Sequence, residues 1–187
     1  MQAGSNLTNQ FLIAMPALDD PYFSHTVTYI CEHSSNGAMG IIINQSMQMQ
    51  MSDIFTHMKI DVSDPDAGEQ SVHYGGPVEE ERGFVLHSYH KNWDSTMQVT
   101  DTLAISTSRD ILEAIANGTG PDKYFIALGF AGWGPGQLEQ EMANNSWLSG
   151  PASEDVIFST PLKDRWQSAA QTIGVDLNLM PGQAGHA

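Results

Sequence analysis

The sequence predicts an α+β fold on a mixed, largely antiparallel sheet, in a single domain spanning residues 1–187. Three observations lead there. The early segments alternate like strands and are joined by hairpin turns. Helical segments enter only later and are mixed with further strands, whereas a parallel sheet calls for strand–helix alternation throughout. The apolar share, 41% of 187 residues, is enough for one core.

Taken in order, FLIAM (11–15) is a short apolar run suited to a buried strand. LDDPYF (18–23) is a turn around Pro21, and Asp19 and Asp20, whose side chains diverge, suit it as turn caps. HTVTYICEH (25–33) alternates, with Val27, Tyr29 and Cys31 on one face and Thr26, Thr28, Ile30 and Glu32 on the other. Asn36-Gly37 suits a tight hairpin turn, and AMGIIINQ (38–45) returns as the partner strand. MSDIFTHM (51–58) reads as a short helix capped by Ser52, and 61–70 as an acidic loop. SVHYGGPV and GFVLHSY are two strands around a Gly-Gly-Pro turn, and KNWDSTMQVTDTLAIST is loop and strand. SRDILEAIANG (108–118) is a helix with Ser108 at its start, Asp110 in its first turn and Gly118 at its stop. DKYFIALGFAGW (122–133) is a buried strand, PGQLEQEMANNSWL a helix and DVIFS (155–159) a short strand. PLKDRWQSAAQTIG (161–174) is the last helix, with Pro161 near its first turn and Gly174 at its end.

Charge narrows the function classes. Twenty-two acidic residues face seven basic ones, for a net charge of -15. Affinity for the nucleic-acid backbone comes mainly from Lys and Arg, so direct nucleic-acid binding is not expected, and anionic membrane surfaces are disfavoured for the same reason. The charge suits partners that are neutral or cationic. With a single cysteine, Cys31, no internal disulfide forms, which suits a reducing compartment. The opening stretch lacks the basic region of a signal peptide, and no apolar run reaches the ~20 residues of a membrane span. The expected location is the cytoplasm.

The glycine-rich elbow GFAGWGPGQLEQEM (129–142) joins a strand to a helix, a place where backbone N–H groups can hold an anion. Its register, Gly132-x-Gly134-x-Gly136, completes neither a Walker A loop nor a dinucleotide fingerprint. Glu139 and Glu141 stand near the positive end of the following helix and would repel a phosphate. The elbow is read as a chain turn with Trp133 packed on the sheet. Gly132, Gly134 and Gly136 stay candidate contacts for a neutral or cationic ligand.

Arg82 follows Glu79, Glu80 and Glu81 and is one of only three arginines. Its planar fork suits either a ligand carboxylate or an ion pair within its own chain. His73, His87 and His90 fall in 73–90, but strand geometry sends His87 and His90 to opposite faces. With no His-Glu-x-x-His and one cysteine, no metal site is expected, and no cofactor. Cys31 and His33 share a strand face in this reading. No oxyanion-hole signal and no Gly-x-Ser-x-Gly elbow accompanies them, so Cys31 is read as a small apolar core residue.

Several stretches together resemble the YqgE/AlgH family of bacterial proteins: FLIAMPALDDPYFSHTVTYICEH, GAMGIIIN, GGPVEEERGFVLHS, LGFAGWGPGQLEQEM, NSWL, DVIF and RW. Their order and spacing run along nearly the whole chain. The resemblance implies an α+β fold with a branched, partly barrel-like sheet surrounded by helices. It implies no established biochemical activity. A label of transcriptional regulator of alginate production, attached to one member, has spread through the family, but no helix-turn-helix pattern supports it in this sequence. The leading expectation is a non-enzymatic regulatory or ligand-binding protein acting through protein or small-molecule partners. The alternative is an enzyme on a small neutral or carboxylate substrate, walled by the elbow and GGPVEEERGF.

Overall fold

A computed structural model describes residues 6–181. Ten strands form one mixed sheet curled into a half-barrel. β1 (Gln10–Ala14), β2 (Val27–Ser34) and β3 (Gly37–Ile42) run as an antiparallel meander. The β2–β3 hairpin forms as expected, but Ser34 pairs with Gly37, so its two turn residues are Ser35 and Asn36, one position before the Asn36-Gly37 pair that the sequence suggests. β4 (Ser46–Gln50) pairs with β5 (Ser71–Tyr74). β6 (Val78–Ser88) pairs with β8 (Leu103–Ser106), which pairs in turn with β7 (Thr96–Gln98).

The sheet branches at β9 (Tyr124–Trp133), which pairs antiparallel with β6 and β3 and parallel with β5. Three glycines make this fork sterically possible. A Cβ on Gly75 would lie 2.3 Å from the Gly129 carbonyl oxygen, one on Gly129 2.2 Å from that of Gly76, and one on Gly76 2.1 Å from the Phe130 carbonyl carbon. Gly129 also has φ +76°, which favours glycine.

Helices cover both sheet faces. α1 (Met51–Met58), α2 (Pro65–Glu69) and α3 (Arg109–Ala116) bury Met51, Phe55, Ala67, Ile111 and Ile115 against Val72, Val85 and Ile126. α5 (Glu154–Phe158) and α6 (Arg165–Gln171) close a second cluster around Phe11, Tyr29, Ile41, Leu86 and Phe125. α4 (Gln137–Ala143) covers a third cluster around Trp133, Trp147 and Leu138.

The structure corrects the sequence reading in several places. DVIFS is helix α5, not a strand. Ser153 accepts the Val156 N–H at 3.4 Å, and Glu154 and Asp155 occupy the first turn, a cap that outweighs the strand propensity of Val and Ile. The helix after the elbow stops at Ala143, and Trp147–Pro151 forms β10 beside β1. The acidic loop contains α2, started by Pro65 at its first position and by Asp64, which accepts the Asp66 N–H at 3.1 Å. Gln50 rather than Ser52 starts α1, and Asp53 accepts the Gln50 N–H at 2.9 Å.

Candidate functional site

A groove of about 720 Å³ lies between α1 and α3 on the sheet face they share. Its origin is local. α1 turns Met51 and Phe55 into the core and α3 turns in Ile111 and Ile115, which leaves Ile54, Met58 and Leu112 half-buried along the trough. α2 packs against both helices and holds them apart. Val85, Ile126 and Leu128 form the floor, and Asp53, Glu80 and Glu81 bring carboxylates to the wall and rim. Arg109 is the one lysine or arginine in the lining. Its charge is already engaged, with Nε donating to Glu113 at 2.6 Å and Nη1 and Nη2 to the Met58 and Lys59 carbonyls at the end of α1. The groove thus combines an apolar floor with an acidic edge.

Part of GGPVEEERGF does line this groove, through Glu80, Glu81 and Gly83. The elbow does not. Gly132, Gly134 and Gly136 lie at the other end of β9, beside the Trp133 cluster. The Gly134 N–H donates to Gln137 Oε1 at 3.0 Å, and Gly136 has φ +75° at the start of α4. The Glu139 carboxylate accepts from His33 Nε2 at 2.6 Å. Glu141 accepts the indole N–H groups of Trp133 and Trp147 at 3.4 and 3.3 Å. Trp133 is 6% exposed and stacks with Phe23 at 6.1 Å between ring centroids. The elbow's polar groups are therefore used in holding α4 to the sheet.

Arg82 is exposed, pairs with Glu79 at 3.2 Å and reaches Thr107 Oγ1 at 3.4 Å, which places its tip at the groove's margin. Cys31 and His33 do not meet. A β-bulge between Ile30 and Glu32 adds a residue and breaks the alternation that put them on one face. Cys31 sits in the cluster of Val27 and Tyr29, 3% exposed, and burial pushes its thiol well above the ordinary value. His33 instead accepts the Leu7 N–H on Nδ1 at 2.9 Å, so its Nε2 carries the proton donated to Glu139.

A serine–histidine pair escaped the sequence reading. His87 Nε2 lies 2.7 Å from Ser106 Oγ, and Thr96 Oγ1 lies 2.8 Å from that oxygen. His87 Nδ1 faces the Ser88 carbonyl at 2.9 Å, so Nδ1 holds the proton and Nε2 accepts from the serine. Both residues are fully buried, and neither lines the groove, so this is a satisfied polar network inside the sheet and not an accessible nucleophile. Burial holds the imidazole's pKa below its usual value. His90 is exposed and lies beyond the end of β6, so the strand-face argument does not apply to it. Among the described residues no three His, Cys, Asp or Glu side chains converge as metal ligands. No helix among them is long and apolar enough to cross a membrane.

The sequence pattern of the AlgH-like family (DUF179) matches residues 11–178. The chain belongs to the AlgH-like family. A UPF0301 protein of Thioalkalivibrio sulfidiphilus is 56% identical over 187 residues, 100% of both chains. A UPF0301 protein of Nitrosococcus oceani is 53% identical over 96% of each chain. The solution structure of the AlgH protein from Pseudomonas aeruginosa superposes with a TM-score of 0.81 at 44% identity, covering 100% of this chain and 99% of that one. The crystal structure of protein DIP2367 from Corynebacterium diphtheriae shares the fold, with a TM-score of 0.75 at 21% identity, over 96% of this chain and 93% of that one.

Proposed function

We propose that this AlgH-like protein is a non-enzymatic, cytoplasmic ligand-binding protein whose groove between α1 and α3 takes a small molecule with an apolar body and a neutral or cationic head. The observation that carries the reading is the pairing of an apolar floor (Val85, Ile126, Leu128) with an acidic edge (Asp53, Glu80, Glu81). A volume of about 720 Å³ lies in the usual range of small-molecule sites. Burying the ligand's apolar body supplies affinity, and the carboxylates select the head's charge. Arg82, tied to Thr107 at the margin, is the one sequence-predicted contact at the groove's edge, where its N–H donors suit a neutral head that carries an acceptor and not a cationic one. A regulatory role would run through this ligand or a protein partner, because a net charge of -15 opposes direct DNA contact.

The test compares n-hexylamine, 1-hexanol and sodium hexanoate, at equal ionic strength, on wild type and on Leu112→Trp, which fills the trough. The expected order of the Leu112-dependent affinity is amine, alcohol, carboxylate, with at least a tenfold gap between first and last. Leu112→Trp should weaken the amine at least tenfold. Unchanged amine binding in Leu112→Trp, or a carboxylate as tight as the amine, would refute the reading.

A further inference from the structure

The chain's three arginines are treated very differently by the fold. Arg82 and Arg109 are about half exposed, and each pairs with a glutamate on its own element. Arg165, at the start of α6, is 7% exposed and has no carboxylate within ion-pair distance among the described residues. Its Nε donates to the Thr160 carbonyl at 2.8 Å and its Nη1 to the Ile43 carbonyl at 2.7 Å. The guanidinium carbon lies 5.4 Å from the centre of the Phe125 ring. All of these partners are neutral. Burial lowers its pKa to about 10, so the group stays charged at neutral pH. Burying an uncompensated charge is costly, and this one is buried in a chain with 22 acidic residues, none of which reaches it.

Arg165 also lines a second cavity. Among the described residues, two of the guanidinium's five N–H donors are used. Among the described residues, the buried side-chain N and O atoms that lack both a partner and solvent are Thr28 Oγ1 and Trp93 Nε1, so the unpaired Nη2 retains access to open space. That space is a cavity of about 220 Å³ lined by Arg165 together with His73, Phe125 and Tyr124, with Gln70 and Ser71 at an exposed mouth. His73 stacks on Phe125, with ring centroids 4.1 Å apart and planes 17° apart. Its Nδ1 faces the Ile126 carbonyl at 3.0 Å and so carries a proton, which leaves Nε2 without a hydrogen-bond partner among the described residues. Arg165 and His73 thus both pack against the Phe125 ring and both line the cavity.

We infer that this cavity is a binding site for a small carboxylate held by the free edge of Arg165, with His73 Nε2, an acceptor, open to a hydroxyl substituent of the acid. The guanidinium edge matches a carboxylate's two oxygens in one plane. A single positive charge balances a monoanion but leaves a dianionic phosphate half uncompensated in a buried site, which favours a monocarboxylate. The volume admits an acid of a few carbons. Gln70 and Ser71 place polar side chains where a hydroxyl or carbonyl substituent would sit. This site is separate from the groove in its cations, its volume and the charge it selects, so each stands or falls alone.

The test uses the full chain and sodium propionate, with sodium chloride and sodium phosphate as comparators at matched ionic strength. Propionate should raise the wild-type melting temperature saturably above chloride and shift the NMR signals of Arg165 Nε–H and the His73 ring. Arg165→Met should abolish the rise. Arg165→Lys, which keeps charge but loses the fork, should weaken binding at least tenfold. If Arg165→Met does not fold, the lysine variant and the wild-type NMR titration decide. No saturable effect up to 100 mM, an effect retained in Arg165→Met, shifts confined to other residues, or phosphate binding tenfold tighter than propionate would each overturn the inference.

Discussion

Replacing Gly129 by alanine tests how the branched sheet is held together, and the structure supplies the magnitude. Gly129 has φ +76°, a conformation that costs a non-glycine residue about 1–2 kcal/mol. The added Cβ would stand 2.2 Å from the Gly76 carbonyl oxygen and 3.2 Å from that of Val78. Both are backbone atoms at the fork of β5, β6 and β9, so neither moves without disturbing a ladder. Overpacking of this kind costs about 1–3 kcal/mol or more. The sum is about 2–5 kcal/mol. For a chain of this size, roughly 2–4 °C of melting temperature is lost per kcal/mol, giving a fall of about 4–20 °C. Two elbow substitutions calibrate it. Gly136→Ala meets nothing within 4 Å but keeps φ +75°, so about 1 kcal/mol is expected. Gly134→Ala has only Gln137 Oε1, at 4.0 Å, and no positive φ, so it should stay within about 0.5 kcal/mol of wild type. The assay is thermal unfolding by circular dichroism, repeated in urea, on all four proteins with and without added nucleotide. A Gly134→Ala loss as large as that of Gly129→Ala, or a Gly129→Ala protein melting within 2 °C of wild type, would refute the packing argument. A wild-type melting temperature that climbs with nucleotide, with the climb lost in Gly134→Ala, would make the elbow an anion site after all.

Two further outcomes are expected. Cys31 is buried and its thiol is pushed up, so it should stay unlabelled by a disulfide reagent for hours in native protein at pH 7 and react at once in denaturant; rapid native labelling would contradict its placement in the core. The Glu139 carboxyl is held below its ordinary value by its own backbone N–H and by His33. Its folded pKa is therefore the lower one, and its stabilisation is complete above the unfolded value and lost as pH falls through the folded one. Because the side chain is 42% exposed, the effect is below about 1 kcal/mol. Urea midpoints of wild type and Glu139→Gln should differ at pH 7, and the gap should narrow as pH falls below the unfolded carboxyl value of 4.5; a gap that does not narrow would exclude this linkage.

Alternation and turn chemistry, both local, were enough to place β1, β2, the β2–β3 hairpin, α3 and β9 from the amino-acid sequence alone, together with the α+β class. The same is true of what the charge says: 7 basic residues against 22 acidic ones disfavour a phosphate-binding surface whatever the fold. The misreadings have local causes too. DVIFS has the composition of a strand, and only the Ser153 cap and its acidic first turn make it helical. What tertiary structure alone decided is which side chains end up together. One bulge in β2 separated Cys31 from His33, although they are two residues apart. The acidic surroundings of Arg82 mark it in the sequence as a candidate ligand-binding arginine, yet one of those glutamates, Glu79, pairs with it at the surface. Arg165 carried no local signal beyond its rarity. Its carbonyl partner Ile43 lies 122 residues away, and the cavity it faces is closed by residues of β5, β9 and α5. The groove likewise arises where α1 and α3, more than fifty residues apart, fail to meet over one sheet. Burial and proximity across such distances follow from sheet order and helix packing, which no short window of sequence contains.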